Sequence, residues 1–368
     1  TEIPNFTGPA MFIESRIVTK PPTEPVVSVD GAALGPGLHL SHWPGNRTPR
    51  ELRHDLSTGI ALGFIGLPRG RQVELAAGAH VVVNNHFDTD GCCAAFVLMN
   101  PRVAPALSEQ LLAIAACGDF FSLPDERAFC ADRIISAMAD PVRSPIRERF
   151  SGLGDAQRWT LAQDEVLRIL PQLCAGQLEP FRVLWETDLM RLRTDRRLLA
   201  TCDKHQLSTR DWTCWNDTLV RTPGDAPGRH AMFGSSDSDR VLYLASAVAS
   251  PAAAGTELVT EQVTGTIARL VISTLSWFDL VSPARHARPN LEELVQKLND
   301  LEEADPTDSL AWRAQSLTNA SPELWFGGAQ LEAFAEHNAA LGVSSLRADT
   351  IKEVIGTALA PPARATAR

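Results

Sequence analysis

The chain has 368 residues, 44% of them hydrophobic, with a formal net charge of −10 at pH 7 and a pI near 5.4. That length supports a large core and two subdomains, and the acidic balance leaves no basic excess to displace counterions, which argues against nucleic acid and for a small-molecule partner. No apolar run approaches the ~20 residues needed to cross a bilayer, and no basic-then-apolar segment opens the chain, so a soluble, cytoplasmic protein is expected, with oligomeric state left open.

In chain order, the proline-rich residues 1–25 are expected to form an extended arm. An α/β metal-binding core over 26–124 then opens with Val26-Val27-Ser28-Val29-Asp30-Gly31, read as a strand with a turn, and Leu38 to Trp43, read as a second short strand. Pro44-Gly45-Asn46-Arg47 forces a turn. Thr48-Pro49-Arg50-Glu51 carries the signs of a helix start, with Leu52, Leu56, Ile60 and Phe64 as its buried stripe. The run Val81-Val82-Val83 suits a central strand covered on both faces, as in a parallel sheet. Cys92 to Met99 is expected as a helix stopped by Asn100-Pro101, and a second helix runs from about Pro105 to Cys117, with Gly118 as its C-terminal cap and Asp119 just beyond.

Residues 125–200 read as helical throughout, an insert or lid. Residues 201–355 form a second α+β subdomain. It has strands near 212–215, 239–244 and 264–278, a helix capped by Asn290, and a further helix from about Gln330 to Leu341. A flexible tail occupies 356–368. The fold class expected is therefore α/β: a parallel-type sheet flanked by helices, a helical insert and a second α+β subdomain. Seven cysteines, at 92, 93, 117, 130, 174, 202 and 214, lack Cys-x₂-Cys pairs. Neither a disulfide framework nor a structural zinc knot is expected.

Chemistry concentrates where the valine strand ends, at Asn84-Asn85-His86-Phe87-Asp88-Thr89-Asp90-Gly91. Ligands of open α/β sheets bind at the carboxyl ends of the strands. His86, Asp88 and Asp90, two apart, point to one side while the chain stays extended. One imidazole and two carboxylates make a first shell suited to Mn²⁺, Mg²⁺ or Zn²⁺. Asp119, placed after a helix C-terminus where the macrodipole disfavours an anion, is a further candidate ligand, and His39 and His42 are candidates to complete the shell. Asn46, Arg47, Ser57 and Thr58 are candidates for holding an anionic substrate, Arg47 through bidentate contact. His54, Asp55 and His205 are candidate catalytic groups, the imidazoles because they exchange protons near neutrality. His230, Asp237 and Asp239 are weaker candidates for substrate contact.

The segment His86-x-Asp88-x-Asp90-Gly91 resembles the first motif of the DHH superfamily of phosphoesterases, and Gly118-Asp119 resembles its second. The resemblance covers roughly residues 79 to 121, and the Asp-His-His motif of the superfamily does not occur in this sequence. It implies one or two metal ions, manganese above all with Fe, Zn or Mg as alternatives, held by aspartates and histidines for hydrolysis of phosphoester or phosphoanhydride bonds. The leading expectation is a metal-dependent hydrolase acting on a small molecule through a metal-activated water. Two alternatives stand beside it: a biosynthetic lyase or group-transfer enzyme on the same scaffold, and a non-catalytic small-ligand-binding protein. Dinucleotide, P-loop and serine-hydrolase readings lack their glycine-rich motifs.

Overall fold

The computed structural model describes residues 11–32, 35–200, 203–206, 213–217, 240–248, 264–281, 288, 290–329 and 341–359. Two compact units emerge: Thr1–Met190 with Trp277–Arg285, and Arg191–Ser276 with His286–Arg368.

The first unit is built on a four-stranded, all-parallel sheet of β1 (Glu14–Ile17), β2 (Val26–Val29), β3 (Gly37–Leu40) and β4 (Val81–Asn84), in the order β1-β4-β2-β3. A parallel sheet needs both faces covered, and β2 is buried at all four positions. The interior position expected for the triple-valine strand is the one found, with β4 between β1 and β2. The proline-rich arm differs from expectation. Its segment Glu14–Ile17 alternates exposed and buried, forms the edge strand β1, and is tied to a helix by Ile17 N donating to Thr160 Oγ1 (2.9 Å) and Gln163 Nε2 donating to Ser15 Oγ (2.7 Å).

Seven α-helices precede the second unit's strands: α1 (Ser57–Gly66), α2 (Arg69–Ala76), α3 (Thr89–Met99), α4 (Ser108–Phe120), α5 (Glu126–Met138), α6 (Asp155–Cys174) and α7 (Arg182–Ala200), the last running from the first unit into the second. Helix α3 is the hub, buried from Thr89 to Leu98 and packed against α1, α4 and α6. A helix apolar all round belongs in a core. Helices α5 and α6, expected as an insert or lid, instead extend this core, with α6 against β1 and α3 and α5 against α4.

Two helix starts also differ. The Thr48-Pro49 signal yields only a 3₁₀ turn at Arg50–Leu52, and α1 begins at Ser57 after an extended Leu56. Helix α3 begins at Thr89, three residues early, because the Asp88 side chain caps it by accepting from Gly91 N at 2.8 Å. Asp90 and Gly91 are thus helical, and the extended one-sided arrangement of His86, Asp88 and Asp90 ends at Asp88. Likewise α4 runs through Gly118 and Asp119 to a left-handed Phe121 (φ 50°), so Asp119 lies inside its last turn.

The second unit carries a six-stranded mixed sheet ordered β5-β6-β7-β8-β10-β9: β5 (Asp203–Gln206), β6 (Thr213–Asp217), β7 (Arg240–Val248), β8 (Thr264–Ile272), β9 (Ala311–Ala314) and β10 (Glu323–Gly327). Among the described residues only the β6–β7 pairing of this sheet is parallel. Helices α8 (Leu291–Glu302) and α9 (Ala348–Leu359) bury Leu294, Leu298, Ile351 and Ile355 with Leu270, Trp312 and Phe326. Asn290 caps α8 as expected, accepting from Glu292 N and Glu293 N. The strand expected to reach Phe278 ends at Ile272, and Thr274–Ser276 turns as 3₁₀. The helix expected at 330–341 falls almost wholly outside the described residues, as does most of the tail. Among the described residues no helix is long and apolar enough to cross a membrane.

Candidate metal centre

The carboxyl ends of β2, β3 and β4 lie on one edge of the parallel sheet and deliver Asp30, His42 and His86 together. Asp30 follows β2 directly in the left-handed region (φ 47°), a conformation Asp tolerates better than most side chains, with Gly31 also at positive φ (54°). A Cβ on Gly31 would stand 2.0 Å from Asn85 Oδ1 and 3.0 Å from His86 Nδ1. Only glycine lets the β2 and β4 ends approach this closely.

Asp30, His42, Asp90 and Asp119 form one buried group, and Asp30, His86 and Asp88 a second, each with ligand atoms within 4.8 Å of one another. His42 Nε2 lies 3.2 Å from Asp119 Oδ2, 3.3 Å from Asp30 Oδ1 and 3.8 Å from Asp90 Oδ2. His86 Nε2 lies 3.0 Å from Asp88 Oδ2 and 3.2 Å from Asp30 Oδ2. Asp30 therefore gives one oxygen to each group. Donors bound about 2.0–2.2 Å from a cation sit roughly 3–4.4 Å apart, which is the spacing seen.

The tautomers point the same way. His42 Nδ1 bonds the Asp55 carbonyl oxygen, which can only accept, so Nδ1 carries the proton and the neutral ring directs the Nε2 lone pair at carboxylate oxygens. Nε2 is aligned for a hydrogen bond with none of them. His86 Nδ1 meets Asn85 Oδ1 at 3.0 Å and likewise turns Nε2 to Asp88 and Asp30. Lone pairs facing lone pairs require a cation or protons between them. Without an ion, protons do this. Burial lowers the pKa of both histidines, but the carboxylates outweigh it: Asp119 and Asp30 for His42, Asp88 and Asp30 for His86, leaving each well above the usual imidazole range. Burial, with the Asp30 charge, pushes Asp90 up to about 6, and burial raises Asp119 far above the carboxylate range. Burial also acts to raise Asp30, but the two histidines more than reverse it and hold its carboxyl well below that range.

A second layer fixes the ligands. The first turn of α1 grips Asp90: Ser57 N donates to Oδ2 (2.6 Å) and Thr58 N to Oδ1 (2.8 Å), while Ser57 Oγ donates to Asp30 Oδ1 (3.0 Å). These are the unsatisfied amides of a helix N-terminus, which favours an anion. Thr89, between Asp88 and Asp90, donates to Asp132 Oδ1 of α5 at 2.6 Å. Gly118 lets α4 meet this contact, since a Cβ there would fall 2.7 Å from Thr89 Cβ. Phe278 stacks on the His42 ring at 3.9 Å and 18°. Trp43 tilts over His86 at 4.9 Å and meets Trp277 edge-on at 6.3 Å. The His42 and Asp30 side chains are fully buried, whereas His86 and Asp88 keep 25% and 31% of theirs exposed. The second group is the open one.

Of the residues singled out in the sequence, the structure brings together His42, His86, Asp88, Asp90 and Asp119. His39 stands outside both groups: its Nδ1 accepts from Arg47 N (3.0 Å), and burial, with the Arg47 charge, lowers its pKa to about 4. Arg47 is exposed and donates to Gly35 O (3.1 Å). Asn46 ties its turn to Asp279 (3.2 Å) and Trp43 O (2.9 Å). Ser57 and Thr58 spend their donors on Asp90 and Asp30. His54 Nδ1 accepts from Leu56 N (3.0 Å) and packs on Gly59. Asp55 is placed behind His42, its carbonyl fixing the ring and its Oδ1 accepting from Val281 N (2.6 Å). His205 lies on β5 opposite Cys214, in the second unit; its side chain, like His230, Asp237 and Asp239, lies outside what is described. Asp30 escaped the sequence reading because valines followed by Asp-Gly read as a strand and turn. The signal was present, since β4 also ends its valine run in polar, ligand-bearing residues. Nothing local marks Phe278, which lies far along the chain from His42.

A family model described as a family of unknown function, DUF6687, matches residues 14–367, and the chain belongs to that family. Comparison with curated proteins and with solved structures finds no match.

Proposed function

We propose that this DUF6687 protein is a metal-dependent hydrolase that holds two divalent cations, manganese foremost, and acts on a small phosphoester or phosphoanhydride substrate. The observation that carries this reading is Asp30, whose two oxygens face two separate sets of nitrogen and oxygen donors. The resemblance of His86-x-Asp88-x-Asp90-Gly91 to the first DHH motif supports the same chemistry. Four carboxylates and two imidazoles among these residues balance two divalent ions in charge. Oxygen donors with imidazole suit manganese, magnesium or zinc, and the absence of any thiolate in either group disfavours softer metals.

Bound there, the ions would lower the pKa of water from ~15.7 toward ~7 and neutralise charge developing on the scissile group. The protein's part is positional. Asp90 and Asp30 are held by α1, His42 by the Asp55 carbonyl and Phe278, and Asp88 by its cap on α3. His86 and Asp88, being partly exposed, define the side from which substrate enters, and Trp43 and Trp277 wall that side.

The test is elemental analysis of protein dialysed against Mn²⁺, followed by assay on p-nitrophenyl phosphate and bis-p-nitrophenyl phosphate. Two equivalents of metal with metal-dependent hydrolysis, lost in Asp30→Asn, is the expected result. Protein that retains no metal would remove the reading. Two equivalents of metal with no phosphoester cleavage would favour the lyase or transfer alternative.

A further inference from the structure

Asn84, the last residue of β4, is buried to 2% exposure, and its Nδ2 has no hydrogen-bond partner. Its orientation is fixed, because Oδ1 accepts from Asn85 N at 2.7 Å and a flipped amide would lose that bond. The donor end faces the centre. Around the point a Cβ on Gly91 would occupy, Asn84 Nδ2 lies at 2.3 Å, Asp88 Oδ1 at 2.8 Å and Asp30 Oδ2 at 3.4 Å. Asp88 Oδ1 is already used by Gly91 N. A buried amide donor left unpaired is costly, and an oxygen of a group bound at the centre would remove that cost.

We propose that Asn84 is a ligand-binding residue whose Nδ2 donates to an oxygen of a tetrahedral oxyanion, phosphate or a phosphoryl group, held at the open His86–Asp88 side of the centre. The proposal rests on the two-cation reading above and adds to it a specificity-determining donor. Carboxylates line this face, so a neutral amide is the group that can reach an oxyanion there without adding another negative charge. The absence of a side chain at Gly91 leaves the space that the Asn84 amide occupies.

The test is calorimetric titration of Mn²⁺-loaded protein with inorganic phosphate, comparing wild type with Asn84→Ala and the isosteric Asn84→Asp, with metal content and thermal midpoint measured for each. Loss of one charge-assisted hydrogen bond is expected to weaken phosphate binding of Asn84→Ala roughly tenfold to hundredfold with metal content unchanged. Asn84→Asp, which keeps the shape but repels the anion, is expected to be weaker still; a packing role would make it the milder variant. Equal phosphate affinity in wild type and Asn84→Ala, or an Asn84→Asp milder than Asn84→Ala, overturns the proposal. So does loss of manganese from Asn84→Ala, which would make Asn84 part of the metal shell. Wild type that binds manganese but not phosphate overturns both the proposal and the phosphoester class while leaving the centre standing. Wild type that binds no manganese removes the two-cation reading itself.

Discussion

At Asp30 a single carboxylate serves two sets of donors, and this asymmetry of consequence can be measured. Asp30→Asn is expected to lower manganese content from two equivalents to less than one, whereas His86→Ala, touching only the open group, is expected to leave one; mass spectrometry of the dialysed proteins reads the difference. The pH behaviour follows from the shifted groups. Burial raises Asp90 in the folded chain from 3.8 to about 6, so the metal-free fold holds that proton longer than the unfolded chain does. The stabilisation is complete below the ordinary carboxylate range and lost as pH rises through about 6. The raised pKa values of His42 and His86 act in the same direction at higher pH. Lowered Asp30 acts oppositely, but its contribution is lost only as pH falls below about 3.8. His39, lowered to about 4, also acts oppositely and offsets Asp90 up to about pH 6.5, so thermal midpoints in EDTA should fall as pH rises from 6.5, the ordinary value of His42 and His86, while manganese affinity rises over the same interval as the ion displaces protons. His42, His86, Asp88, Asp90 and Asp119 could be singled out in the sequence because strand ends and spacings expose them. Asp30 and Asn84 could not be, because an Asp-Gly turn and a polar strand end are ordinary until the β2 and β4 ends are seen to meet.

Helix starts are set here by the centre more than by local propensity. The Thr48-Pro49-Arg50-Glu51 signal predicts an earlier helix, yet α1 waits until Ser57, where its first amides reach Asp90. Ser57→Pro compared with Ser57→Ala isolates that effect. Proline is tolerated at the first helical position and after an extended residue, and Leu56 is extended (φ −118°, ψ 141°). The variant is expected to keep α1 but lose about 1–3 kcal/mol and bind manganese at least tenfold more weakly, with Ser57→Ala, lacking only the hydroxyl, in between. Retained affinity in Ser57→Pro would show that the amide contact does not hold the ligand. Gly91→Ala is the corresponding test on α3: its methyl would meet Asn84 Nδ2 at 2.3 Å, and about 1–3 kcal/mol of overpacking should appear together with lost metal. The parallel sheet and its valine strands were legible because a doubly covered strand needs no alternation. The edge strand at Glu14–Ile17 was not, because four residues amid prolines carry too little pattern.

Across the whole molecule, every described donor of the two groups belongs to the first unit, and the second has its own core of Leu270, Leu298, Trp312 and Phe326. Metal should therefore raise the unfolding free energy of the first unit alone, by about 2.7 kcal/mol at a hundredfold excess over the dissociation constant. Leu298→Ala should lower the second by roughly 2–5 kcal/mol and leave metal content untouched; calorimetry with and without Mn²⁺ separates the two. The acidic total led to the expectation of a small-molecule partner before any fold was known, and the absence of a P-loop or dinucleotide motif removed two classes of ligand, without saying which one binds. The most direct test of the central claim is the manganese content of the dialysed wild-type protein. Two ions per chain is the predicted result, and a chain that folds fully yet binds none would contradict it.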